Sequence, residues 1–205
     1  SILLVEDSVR YYSTYLPELY RMVLRQSAEF LKETLNEQQR KYMKRSRPKI
    51  LLATNLDDAM TMYEKYKSNL LGVMSDVGFT VHKGDSPEQE KLDAGIDLVK
   101  HIKNDNPIMP ILLQSSQDSI STVAEELGVG FLRKYSKTLM IQLSEYIRDE
   151  FGFGDFVFRD ADRHEYGKAS NLKELEYMMR HVPDNVLLYN TSKNMFTKWF
   201  LARGL

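Results

Sequence analysis

Ile2-Leu3-Leu4-Val5-Glu6-Asp7 is a run of four apolar residues that ends in two carboxylates. A short apolar run without alternation fits a strand covered on both faces, because neither row of side chains then meets water. The pattern recurs at Ile50–Ala53, Leu70–Met74, Ile111–Leu113 and Gly130–Leu132. Helical periodicity fills the intervals. Leu56–Tyr66 carries Met60, Tyr63 and Tyr66 at three-residue spacing, behind Asn55 as a cap. Ala94–Ile102 puts Ile96, Val99 and Ile102 on one face, Ser119–Leu127 follows, and Lys137–Phe151 repeats Leu139, Leu143 and Ile147 every four residues. Strand then helix, five times over, predicts a doubly wound α/β domain around a five-stranded parallel sheet, over residues 1–150.

The first crossover departs from that economy. Ser8 to Arg47 spans 40 residues where about a dozen suffice. Val9, Tyr12, Leu16, Leu19 and Val23 step by threes and fours, so the segment is helical with an apolar seam. Pro17 predicts a kink or break, since it lacks an amide proton and disfavours helix at Leu16. The polar remainder, a helical insertion over about 18–47, reads either as an arm offering a homodimer surface or as a solvated helix packed on its own domain. Beyond Phe151-Gly152-Phe153-Gly154 the alternation stops. Two short strands around an Asp160–Asp162 turn, a helix capped at Asn171 and ended by Pro183, and a last helix from Ser192 to Arg203 predict a small α+β subdomain over 151–205. Abrupt ends on both sides suggest a piece of a longer protein.

Composition narrows the function classes. Hydrophobic residues at 42% and charged residues at 28% describe a chain that can bury a core. With 28 basic against 29 acidic residues, no overall charge draws it to nucleic acid or to an anionic membrane. Cys is absent, which excludes disulfides and thiolate chemistry. No apolar run approaches the roughly 18 residues of a membrane span, so the expected setting is cytoplasmic. Six basic residues in Arg40–Lys49 (Arg40, Lys41, Lys44, Arg45, Arg47, Lys49) read as a solvated or helix-terminal cluster rather than a DNA contact. The four histidines, His82, His101, His164 and His181, lack metal-ligand spacing, and only His82 falls in a loop near a strand end.

In an open α/β sheet, ligands gather beyond the carboxyl ends of the strands. Strand one ends in Glu6-Asp7, strand three in Ser75-Asp76, strand four in Gln114-Ser115-Ser116 and strand five in Arg133-Lys134; strand two supplies only Thr54-Asn55. Three carboxylates, a hydroxyl and a lysine are thereby drawn to one edge. Crowded carboxylates call for a positive charge among them, and all-oxygen donors favour Mg²⁺ or Mn²⁺. Asp76, between such a cation and Lys134, is placed as a nucleophile toward a phosphoryl donor, with Ser115 as a further donor to its oxygens.

This arrangement resembles the response-regulator receiver domain over about residues 1–150. Ile2-Leu-Leu-Val-Glu-Asp-Ser is similar to the family's opening strand and acidic pair, and Val73-Met-Ser-Asp76 to its phospho-acceptor strand. Pro110-Ile-Leu-Leu-Gln-Ser115-Ser and Gly130-Phe131-Leu-Arg-Lys134 resemble its last two strands. The resemblance implies a flavodoxin-like sheet of order 2-1-3-4-5 and phosphorylation of Asp76 by a histidine kinase or phosphotransfer protein. It also implies Mg²⁺ held by Asp7, Asp76 and the Gly78 carbonyl, with Glu6 acting through water. Lys134 and Ser115 would bind the phosphoryl group, and Phe131 occupies the position of a switch aromatic. Three departures stand out: a long polar loop from Val77 to Asp93, Tyr135 where the family has proline, and the extended first crossover. A trans bond before Tyr135 is expected, because a cis bond to a non-proline residue costs ~3–4 kcal/mol.

Phe151-Gly-Phe-Gly-Asp-Phe-Val-Phe-Arg and Asn194-Met-Phe-Thr-Lys-Trp-Phe-Leu-Ala-Arg resemble the receiver-containing N-terminal region of phosphoenolpyruvate-synthase-like proteins, which implies a downstream module in the same longer chain. The alternative is a pseudo-receiver, a regulatory scaffold that works without phosphorylation. An aspartyl-phosphate phosphatase needs a general acid two residues past the nucleophile, where this chain has Gly78. A DNA-binding regulator needs a basic recognition helix, whereas Lys193, Lys198 and Arg203 lie among large aromatics that favour protein contact.

Overall fold

The structure, a computed structural model, describes residues 1–31 and 37–205, and for helical residues 29–31, 39, 40 and 42–44 it describes the backbone alone. Five strands form a parallel sheet in the order β2-β1-β3-β4-β5: β1 Ile2–Val5, β2 Ile50–Ala53, β3 Gly72–Asp76, β4 Ile111–Ser115 and β5 Gly130–Arg133. This is the flavodoxin-like order, with its winding reversal between β1 and β3. Leu3 is in register with Leu51 and Val73, and Asp76 with Gln114, which brings the strand ends level.

Both faces of the sheet are covered. Leu3, Val5, Val73, Ile111 and Leu113 point to a core closed by Tyr63 of α3 (Leu56–Tyr66) and by Leu98, Val99 and Ile102 of α4 (Ala94–Asp105). Ala124 of α5 (Ile120–Glu126) completes that layer. Ile2, Leu4, Met74, Leu112 and Leu132 point the other way, onto Tyr15, Leu19 and Val23 of α1 (Val9–Leu31) and Leu143 and Ile147 of α6 (Leu139–Glu150). Alternate residues of each strand enter alternate cores, and for that reason the strands read as unbroken apolar runs. A fully buried Leu or Val contributes roughly 1.5–3 kcal/mol.

Three strands end later than their hydrophobicity suggests, the fifth by one residue, at Arg133. The third begins at Gly72 rather than Leu70 and runs to Asp76, and the fourth runs to Ser115, so polar site residues continue the ladder. Gly72 is where β3 can start against Phe151: a Cβ there would lie 2.0 Å from the ring. The break expected at Pro17 is absent, because α1 is helical straight through it. Pro17 and Ser13, whose carbonyl loses its partner, both sit on the exposed side, while Tyr15, Leu19 and Val23 anchor the buried side on both flanks. After α1 the crossover contains α2 (Glu37–Ser46), which packs back on α1. Side chains of Arg40 and Lys44, from the basic cluster, lie outside the described residues, whereas Lys41, Arg45, Arg47 and Lys49 are exposed.

The loop from Val77 to Asp93 is ordered. Phe79 and Lys91 bridge antiparallel, exchanging backbone hydrogen bonds of 3.2 and 3.0 Å. The Leu56 and Asp57 amides donate to the Thr80 and Val81 carbonyls, so the loop also satisfies the first turn of α3. The Lys134–Tyr135 peptide is trans.

Past α6, β6 (Phe156–Arg159) and β7 (Glu165–Ala169) form an antiparallel hairpin, followed by α7 (Leu172–His181), α8 (Asp184–Ser192) and α9 (Met195–Ala202). Asn171 caps α7 as expected, accepting from the Glu174 amide at 2.9 Å. The last helix begins at Met195 rather than Ser192, and α8 precedes it as a separate helix; Asn194 at φ 56° makes the turn, in a left-handed conformation that Asn tolerates. Phe156, Phe158, Leu175, Val186 and Trp199 form a third core. Packing also crosses residue 150, since Phe151, Phe153 and Ala202 belong to the core beneath α1 and α6. Among the described residues, no helix is long and apolar enough to cross a membrane.

Candidate functional site

The carboxyl ends of β1, β3 and β5 bring Glu6, Asp7, Asp76 and Lys134 together, and the oxygens of the three acids lie within 4.8 Å of one another. Lys134 is the hub. Its Nζ donates to Glu6 Oε2 at 2.8 Å and to Asp76 Oδ2 at 2.5 Å, and it stands 4.0 Å from the centre of the Tyr11 ring. Glu6 is fully buried, its other oxygen taking the Ser8 amide at 3.2 Å, whereas Asp76 and Asp7 keep partial access to solvent. Asp76 Oδ1 also accepts from the Val77 amide at 2.7 Å. Glu6 is therefore consumed in holding Lys134, and the two aspartates face outward.

Electrostatics follow from this crowding. Burial first, then the charge of Asp76, pushes the Glu6 carboxyl up to about 7, against the pull of Lys134. The same two causes raise Asp7. Burial opposes the charge on Lys134, but Asp76 and Glu6 outweigh it and its pKa is raised. The ammonium therefore stays charged while the carboxyls compete for protons.

Ser115 is buried at the end of β4. Its hydroxyl accepts the Gln117 amide at 3.1 Å, leaving its own proton free to donate, and its carbonyl accepts the Lys134 amide at 3.0 Å. Phe131 is half-buried on β5 against the α3–α4 core. Gly78 lies two residues past Asp76, and the space a Cβ would fill is taken by Glu90, whose Oε1 is 2.3 Å from that position. His82 is not at the site: it pairs with Asp57 at 2.7 Å on the surface.

Two participants escaped the sequence reading. Glu90 arrives from the long loop, and burial followed by the charges of Asp7 and Asp76 raises its pKa, although its oxygens lie outside the close group formed by Glu6, Asp7 and Asp76. Tyr11 arrives from the first turn of α1, four residues past Asp7, with Tyr135 edge-on to it at 6.1 Å. The length of the loop and the replacement of proline by Tyr135 were the available signals. Three clustered carboxylates around one ammonium are an oxygen-only donor set with surplus negative charge, which fits a hard divalent cation.

The fold and site thus define a flavodoxin-like α/β domain with an acid–lysine centre at its carboxyl edge. Among solved structures the chain is similar to the receiver domain of NtrX from Brucella abortus, at 19% identity and a TM-score of 0.46, over 72% of this chain and 98% of that one. It is also similar to a response regulator receiver domain protein from Clostridium thermocellum, at 17% identity and a TM-score of 0.41, over 72% and 93%. No family model matches the chain, and no curated protein matches it.

Proposed function

We propose that this chain is a response-regulator receiver that accepts a phosphoryl group on Asp76. The observation that carries the reading is the contact of Lys134 with Asp76 at 2.5 Å while a buried Glu6 holds the same ammonium from behind. A partly exposed carboxylate beside a fixed cation is a nucleophile aimed at an electrophile whose oxygens that cation can bind. A carboxylate oxygen of Asp76 attacks the phosphorus as the bond from phosphorus to the donor's imidazole nitrogen breaks; the ring, protonated beforehand on its other nitrogen, takes the electron pair and leaves as the donor's neutral histidine. Lys134 moves its hydrogen bond from the carboxylate to a phosphoryl oxygen, and the Ser115 hydroxyl donates to another. Asp7, Asp76 and the Gly78 carbonyl are the groups that would hold Mg²⁺, with Glu6 behind them; the ion would neutralise phosphoryl charge. Phe131, on β5 beside the strand that ends in Ser115, is the residue to follow the hydroxyl as it moves.

The donor is a histidine kinase or phosphotransfer protein in the cytoplasm, and the recipient of the signal is a downstream module or partner. Residues 1–150 form the receiver and 151–205 a subdomain that links it onward, as in phosphoenolpyruvate-synthase-like proteins; the α1–α2 hairpin offers a surface for a homodimer. Incubation with Mg²⁺ and acetyl phosphate, followed by intact mass measurement, tests the reading. A base-labile phosphate adduct is expected on the wild type and not on Asp76→Asn.

One observation favours a second reading, a phosphorylation-independent scaffold. Glu90 fills the space over Gly78 and adds negative charge where an anionic donor must approach. Under that reading no adduct forms with wild type, and an adduct that forms only with Glu90→Ala would identify Glu90 as the obstacle.

A further inference from the structure

A cleft of about 530 Å³ lies at the opposite edge of the sheet, between the entries to β4 and β5 and the helices α8 and α9. Its size is that of a small-molecule site. Six basic side chains line it against four carboxylates, an excess of two positive charges in a chain whose overall net charge is -1. Arg148 and Arg159 are committed to Asp149 and Glu165. The lysines are not so engaged.

Lys198 is the informative one. The residue is 7% exposed, and its ammonium, which is not fully enclosed, opens onto the cleft without a hydrogen bond or ion pair to any described residue. A buried unpaired charge is costly unless a counter-charge is supplied. Burial, aided by the nearby charges of Lys103 and Lys193, lowers its pKa to about 8, and Glu150 offsets this only in part. Lys103 reaches into the same cleft and is held by the Pro107 carbonyl at 3.0 Å. Tyr189 and Trp199 supply aromatic wall beside the lysines.

We propose that this cleft binds a small phosphorylated molecule, with its phosphate seated among Lys103, Lys193 and Lys198 and its organic part against Tyr189. The excess of two positive charges matches a dianion, and lysine ammonium groups serve as point-charge partners for phosphate. The site is separate from Asp76 and independent of phosphotransfer there.

Calorimetric titration of the full chain with inorganic pyrophosphate, in EDTA so that no metal joins the acid cluster, tests this. Trp199, the chain's one tryptophan, gives a second readout by its fluorescence. Saturable binding is expected, weakened about tenfold or more in Lys198→Met and in the exposed-site variant Lys193→Glu, as loss of a charge-assisted hydrogen bond implies. Asp76→Asn should bind as wild type does, whatever the outcome of the acetyl phosphate experiment. Absence of binding at millimolar pyrophosphate, equal response to sulfate at matched ionic strength, or unchanged affinity in a folded Lys193→Glu would each overturn the proposal.

Discussion

Replacing Lys134 by Met removes one charge and little volume, and leaves Glu6 Oε2 and Asp76 Oδ2 without their shared donor. Glu6 is 0% exposed, so its ionised form then has no counter-charge within hydrogen-bond reach. Breaking one side of a buried ion pair costs about 3–5 kcal/mol. The lower end applies here, because Asp76 retains some water. We predict a loss of about 3 kcal/mol at pH 8 in metal-free buffer, or roughly 6–12 °C in Tm for a chain of this size.

The loss must depend on pH in a stated direction. The Glu6 carboxyl titrates near 7 when folded, above its ordinary 4.5, so its ionisation opposes folding progressively above 4.5 and fully above 7. Without Lys134 the folded value rises further. At pH 5.5 Glu6 is neutral in both proteins, and the gap should shrink to about 1 kcal/mol, that of a partly exposed pair with Asp76. Thermal unfolding followed by circular dichroism at pH 5.5 and 8 measures both gaps. Mg²⁺ should restore part of the stability at pH 8. A gap that is equal at the two pH values, or wider at 5.5, refutes the idea that Lys134 exists to compensate Glu6 and Asp76.

Mg²⁺ affinity should rise as pH increases through about 7 and then level off, because Glu6 holds a proton whose loss the cation favours. Calorimetry in two buffers of different ionisation enthalpy should detect proton release at pH 6 and little at pH 8.5. Gly72→Ala should destabilise by about 1–3 kcal/mol, since its new methyl would meet the fully buried Phe151 ring. An unchanged urea midpoint would exclude that close approach.

Much of the architecture was legible because its signals are local. Each strand of the parallel sheet is a short, mostly apolar run and each intervening helix has a periodic face, and parallel strands need such crossovers. The strand ends could be read as a site for the same reason: residues following a parallel strand all emerge on one edge, so Glu6, Asp7, Asp76, Ser115 and Lys134 were assigned together without knowledge of their distances. Local rules misjudged Pro17, where the seam of Tyr15, Leu19 and Val23 holds the helix on its far side and the Ser13 carbonyl, left without its helical donor, lies on the exposed side. They also missed α8, because Val186, Leu187, Leu188 and Tyr189 follow one another without a break and so show almost no one-sided pattern, and Leu188 is left exposed.

From the order of residues alone came the wound sheet and the gathering of these acids and the lysine at its carboxyl edge, since both follow from periodicity and chain direction. Folding in three dimensions supplied the rest: that Glu6 faces inward to grip Lys134 while Asp76 faces out, that Glu90 and Tyr11 join them, and that Lys198 stands buried and unpaired 64 positions from Lys134. Such facts depend on which distant segments share a volume and on how much water each group loses there, and neither quantity is carried by neighbouring residues in the chain.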